Sequence, residues 1–170
     1  MDVPTAPAGY TRLIMKSRFG AGRDFTVLEP ETEAEVYVVD GKIGIRPKAD
    51  ILDASGTIVA TARGEMLAFP KRIEISDADG HPLAYLHAKP FSFVKDKIEV
   101  TLEGGKSLLM EGNLIEKDYS LKDEHGHVMV QITQKWMAVR DRYTLDVADG
   151  FAVPIALALT WSIDRWIERD

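Results

Sequence analysis

No cysteine occurs among the 170 residues, which excludes disulfides, thiolate metal centres and thiol nucleophiles. That absence suits a reducing compartment, and a cytoplasmic location is expected. Basic residues are in deficit: 21 Lys and Arg against 27 Asp and Glu leave a net charge of −6. A nucleic-acid partner, which needs a basic footprint, is therefore not expected. The N-terminus lacks the basic-then-apolar pattern of a secretory signal, and Met1 to Gly9, with Pro4, Pro7 and several small residues, reads as a flexible lead-in. Motifs of the common catalysts are also missing, with no Gly-x-Ser-x-Gly elbow, no Gly-rich phosphate loop and no His-Glu-x-x-His. The expectation is a protein that is not an enzyme and that needs no cofactor and no metal.

Long hydrophobic runs are equally scarce. The most apolar stretch is Phe151–Ile163, closed by Asp164 and Arg165. A bilayer span takes roughly 17–25 apolar residues, whereas a stretch of about 10–14 is more often a buried core helix. No transmembrane span is therefore expected. A segment apolar on every face must be hidden inside its own protein. Local cues agree with a helix: Pro154 suits the first turn, Asp149 lies near the positive dipole end, and Arg165 and Arg169 lie near the negative one.

What the chain has in quantity is a repeated hairpin. Ile51-Leu-Asp53-Ala-Ser-Gly56, Ile75-Ser-Asp77-Ala-Asp-Gly80 and Leu121-Lys-Asp123-Glu-His-Gly126 each lead apolar residues into Asp-x-x-Gly and out into a second extended stretch. Asp closes such turns with its side chain and Gly supplies positive φ. The first two turns are 24 residues apart and the last two 46, with Glu103-Gly104-Gly105 in the gap, where a degenerate copy belongs. Basic loops alternate with these turns: Lys16 to Arg23-Asp24, Lys89 to Lys95-Asp96, and Lys135 to Arg140-Asp141, with Arg63 to Lys71-Arg72 a looser copy.

Extended stretches start near Tyr10, Asp24, Glu35, Lys48, Thr57, Arg72, Pro82, Lys97, Lys106, Tyr119, His127 and Tyr143. A dozen strands in an open sheet expose edges, and closure removes them. A barrel that wide cannot be filled by its own side chains, and Phe151–Ile163 supplies the filling. The fold expected is mainly β: a closed twelve-stranded up-and-down barrel around a central hydrophobic C-terminal helix. It forms one domain over residues 10–170, with the helix at about 152–168. Up-and-down order predicts a bipolar body. The Glu29–Glu35 loop, Asp53, Asp77, Asp79, Glu103, Asp123 and Glu124 collect at one end, and Arg18, Arg23, Lys42, Lys71, Arg72, Lys95, Lys97, Arg140 and Arg142 at the other, diluted by Asp24, Asp96 and Asp141.

The residues Gln134-Lys135-Trp136, Arg140-Asp141-Arg-Tyr143, Asp146-Val-Ala-Asp149-Gly and Leu157 to Asp164 resemble the C-terminal signature of the LURP-one-related family. The Asp-x-x-Gly hairpins, Met15-Lys16, Arg23-Asp24-Phe-Thr-Val, Glu111-Gly112-Asn and Asp118-Tyr119 resemble it in order and spacing. The resemblance covers about Tyr10 to Asp164 and implies the fold of tubby-like domains and phospholipid scramblases, a twelve-stranded barrel wrapped around a hydrophobic helix. Tubby-like domains bind phosphoinositide headgroups, and scramblase relatives act on lipid distribution. The acidic Glu29–Glu35 loop has no counterpart in that pattern, and the cysteines of the scramblase tail are absent.

Functionally, a non-enzymatic binding or scaffold module is expected. Its candidate ligand residues are Lys71, Arg72, Lys95, Lys97, Arg140 and Arg142, which with Phe19, Phe69, Phe91, Phe93 and Trp136 suit the anionic phospholipid headgroups of a membrane surface, with peripheral association. The alternative is a protein partner and no lipid preference. The acidic end is expected to confer solubility, with a basic protein partner as the alternative. His125 and His127 beside a turn are a weak metal pair, His81 and His87 are expected on the surface, and Asp164 is expected to close the barrel mouth against an Arg or Lys.

Overall fold

A computed structural model describes residues 4–18, 25–42, 44–65, 72–88, 97–113, 118–134 and 142–167. The strands are β1 (Tyr10–Ser17), β2 (Phe25–Leu28), β3 (Glu35–Lys42), β4 (Lys48–Asp53), β5 (Ile58–Gly64) and β6 (Arg72–Ser76). They continue with β7 (Pro82–Ala88), β8 (Lys97–Leu102), β9 (Ser107–Asn113), β10 (Asp118–Lys122), β11 (Val128–Thr133) and β12 (Arg142–Ala148). Helix α1 (Val153–Ile167) follows. Each strand pairs antiparallel with its sequence neighbours, and β1 pairs with β12 from Tyr10↔Ala148 to Lys16↔Arg142, so the barrel closes with no free edge.

Alternation sets the two faces. Ile73 and Ile75, Ile98 and Val100, and Leu108 and Met110 point inward and are buried, as expected of strands with period 2. In α1 the run Ile155–Ile163 is buried all round, so the helix fills the lumen. Its backbone approaches β3 to β7 and β12. Small Ala49, Ala60, Ala62 and Ala84 on β4, β5 and β7 belong to the core beside it, and Tyr143 on β12 reaches it at Asp164. The two helix hydroxyls meet their needs locally, Thr160 Oγ1 donating to the Ala156 carbonyl at 2.9 Å and Ser162 Oγ to that of Ala158 at 2.7 Å.

The repeat is visible in hydrogen bonds. At Asp53, Asp77 and Asp123 the backbone N–H donates to the carbonyl four residues on, and the Gly three residues on donates back. Leu102 and Gly105 make the same pair of bonds, at 2.8 and 3.0 Å, so the degenerate copy is real, with Leu102 in the Asp position. The Asp side chain is missing there, and two glycines in succession, Gly104 and Gly105 at φ 93° and 91°, take the left-handed conformations instead. The three Asp copies also share a register shift just before the turn, at Ile51/Leu52, Ile75/Ser76 and Leu121/Lys122. The extra residues Val59, Leu83 and Met129 pack half-buried against the core.

One close approach has a measurable consequence. Gly112 stands opposite Tyr119 across β9 and β10, and a Cβ at Gly112 would lie 1.9 Å from Tyr119 Cδ1. The ring lies on the glycine and has no room to move within a packed core. Gly112→Ala should therefore cost about 3 kcal/mol, lowering the melting temperature by about 6–12 °C. In a Tyr119→Ala background the same change should cost almost nothing, and a thermal double-mutant cycle reads the difference.

Candidate functional site

Connections alternate between the two barrel ends, which among the described residues puts the Asp turns at one end and Arg72, Lys97 and Arg142 at the other. At one end Arg72, Lys97 and Arg142 are each the first residue of their strand. Arg72 is exposed, Arg142 is half-buried in register with Lys16, and Lys97 Nζ lies 3.5 Å from Glu111 Oε1. Strands β6 and β12 are six places apart in a ring of twelve, so Arg72 and Arg142 stand on opposite sides of the barrel instead of sharing a pocket. Lys42 at the same end is held by Asp40 and lies 3.9 Å from Asp50. Lys71, Lys95 and Arg140, with all five expected interfacial aromatics, lie outside the described residues.

The opposite end carries the Asp turns. Oδ1 of Asp53, Asp77 and Asp123 accepts backbone N–H bonds from the residues two and four positions on, all between 2.9 and 3.0 Å. The side-chain bond from Ser55 holds the Asp53 carboxyl below its ordinary pKa, and the backbone N–H of His81 does the same for Asp77. Asp77, Asp79 and His81 bring one ligand atom each within 4.8 Å of one another, a grouping not singled out from the sequence. All three are accounted for as parts of an exposed hairpin turn. The His125 and His127 rings are 6.2 Å apart, and each faces a carboxylate of its own turn, Glu124 at 3.5 Å and Asp123 at 3.3 Å.

The loop that joins β2 to β3 is also held by its own side chains. Glu29 is its hub: its carboxylate accepts from the N–H of Glu31 at 3.1 Å, from the N–H of Thr32 at 2.7 Å and from Thr32 Oγ1 at 2.6 Å. The Thr32 hydroxyl leads in lowering the Glu29 pKa. Glu33 adopts φ 57°, and its N–H is tied to the Glu29 carbonyl at 2.9 Å; a non-glycine residue there costs about 1 kcal/mol unless its surroundings hold it. Between this loop and residues Pro4–Ala6 lies an open cleft of about 770 Å³. Behind it a shallow notch of about 520 Å³, walled by Leu13, Val36 and Val153, reaches Asp53. The sequence shows the run of glutamates but not the apolar notch, whose walls come from three separate elements.

Two buried polar contacts also escaped sequence reasoning. On the closing seam Arg12 Nε meets Asp146 Oδ1 at 2.7 Å and Nη2 meets Oδ2 at 2.8 Å, a bidentate pair with side chains 6% and 7% exposed. Arg12 Nη1 also donates to the Pro4 carbonyl. At the other end of the lumen Asp164 is buried and accepts from the Tyr143 hydroxyl at 2.9 Å, so a phenol from β12 contributes to its closure. Among the described residues no helix is long and apolar enough to cross a membrane.

Comparison with known proteins rests on this geometry. The profile of the LURP-one-related family matches residues 11–164, from the seam strand to the buried aspartate of the plug. The chain belongs to the LURP-one-related family. A LURP-one-related barrel of this form is similar to the Bacillus subtilis (strain 168) protein YxjI, 23% identical over 159 residues, covering 93% of this chain and 94% of that one. It also resembles the X-ray structure of the Arabidopsis thaliana protein AT5G01750, with a TM-score of 0.66 at 19% identity, covering 93% and 92% of the two chains. Family and fold agree on the architecture, a closed barrel with a C-terminal helix in its lumen.

Proposed function

We propose that this LURP-one-related barrel binds anionic phospholipid headgroups peripherally through its cation-bearing end, using Arg72, Lys97 and Arg142 with Lys71, Lys95 and Arg140. The supporting observation is the charge separation. Strands of five to eight residues, β2 apart, rise about 3.3 Å per residue and tilt by about 40° in a barrel, which puts the two ends roughly 13–20 Å apart. That exceeds the Debye length of about 8 Å at physiological salt. An anionic surface touching one end is therefore largely screened from the acidic turns at the other. The net charge of −6 then opposes binding only weakly, and the charge dipole orients the barrel with its acidic end outward.

Sedimentation with vesicles of phosphatidylcholine alone, or with added phosphatidylserine or phosphoinositide, tests the proposal. Retention is expected on the anionic vesicles and should fall as salt rises. Each cation near such a surface contributes about 1 kcal/mol, so Arg72→Gln with Lys97→Gln should weaken binding about 30-fold. Absence of retention on every anionic vesicle at low salt removes the lipid reading and leaves the alternative, a protein-binding module without lipid preference.

A further inference from the structure

The clefts around the β2–β3 loop are parts of one groove at the acidic end. The open cleft and the notch behind it share Thr11 and Glu29. The notch shares Tyr37, Asp53 and Ala54 with a third depression of about 420 Å³ on the outer face of β3 and β4. Its middle is apolar, where Leu13, Val36 and Val153 meet. Its edges are acidic, with Glu29, Glu31 and Glu33 along the first stretch and Glu35 and Asp53 along the last, where Asp40 is already held by Lys42. Of the cations lining it, Arg12 is engaged by Asp146 and Arg18 stands at the far end.

We propose that this groove docks a short basic segment of a partner protein. An aliphatic side chain of that segment sits in the Leu13–Val36–Val153 notch, and lysine or arginine side chains on either side of it reach Glu29 and Asp53. Charge complementarity selects this occupant: the carboxylate edges repel nucleic acid and anionic lipid, and an uncharged apolar peptide would leave them unmatched. Pre-organisation favours it as well. Glu29 is fixed by Thr32 and the Glu31 N–H, and Asp53 by Ser55 and the Thr57 N–H, so little side-chain order is lost on binding. Both carboxyls have lowered pKa values and keep their charge into mild acid. The notch distinguishes docking from mere solvation, because carboxylates that only keep a protein soluble need no apolar floor between them.

Fluorescence anisotropy at low ionic strength with a labelled Arg-Lys-Leu-Lys-Arg peptide tests the proposal on the full chain. Saturable binding is expected, and a peptide with glycine in place of leucine should bind about tenfold more weakly. Glu31→Lys with Glu35→Lys should weaken the leucine peptide about tenfold or more, with an unchanged melting temperature because both side chains are exposed. The proposal is overturned if no saturable binding occurs or if the double variant binds like the wild type. It is overturned equally if the two peptides bind alike, since the end would then attract cations without a groove. None of these outcomes depends on whether the opposite end binds lipid.

Discussion

Leu157→Asp should leave the chain without a cooperative thermal transition. Leu157 is fully buried in α1, inside the cluster that includes Ala156, Ala158 and Trp161. A carboxylate there has no cation among the core residues that surround it and no path to water. An unpaired buried charge costs about 3–5 kcal/mol, and the lost leucine packing adds about 2–5 kcal/mol. The sum is comparable with the whole stability of a typical domain, about 5–15 kcal/mol. Ending the chain at Gly150 removes the plug altogether and should have the same result, because the apolar inner face of the barrel would be left open to water. Circular dichroism and a thermal melt of both variants check this. A truncated chain that melts cooperatively and stays soluble would show that the helix is dispensable to the barrel, as a membrane anchor would be.

Asp146→Ala should be the next most damaging of the substitutions considered. The fork of Arg12 closes bidentately on Asp146 across the β1–β12 seam, and both side chains are buried. Removing one partner strands the other charge and costs about 3–5 kcal/mol, lowering the melting temperature by about 10 °C or more. Replacing both together, Arg12→Met with Asp146→Leu, should recover most of that loss, since burying two charges is itself expensive. Arg12 also holds the Pro4 carbonyl, so Arg12→Met alone should speed proteolysis within residues 4–9, while Asp146→Ala should do so less. If both single variants melt within a degree or two of the wild type, the seam pair has no part in closing the barrel.

Much of this architecture could be read in the residues because its signals are local. Strand starts expected near Tyr10, Glu35, Lys48, Arg72, Pro82 and Lys97 are where β1, β3, β4, β6, β7 and β8 begin. The others in the described residues fall within one position, since alternation and turn residues mark strand ends directly. The plug was equally legible from an all-apolar run too short to span a bilayer. The site was less so. A basic end follows from counting connections, but the arrangement of its cations around the mouth follows from the ring. Asp164 carries no mark in the sequence that its partner is Tyr143, 21 residues earlier on a different element.

By itself the sequence determined the unit and its repetition: the Asp-x-x-Gly turn, a degenerate copy at Glu103-Gly104-Gly105, the period-2 strands and a helix that had to be buried. Those features depend on neighbours a few residues away, where backbone geometry and side-chain type leave little choice. Only the tertiary structure decided what lies across the seam and around the ends. Closure brings Arg12 to Asp146 over 134 residues, and it sets the β2–β3 loop beside Pro4–Ala6 and the Asp53 turn. No local preference encodes such meetings. They arise because twelve strands must bury one shared helix, and that demand fixes which distant residues face each other.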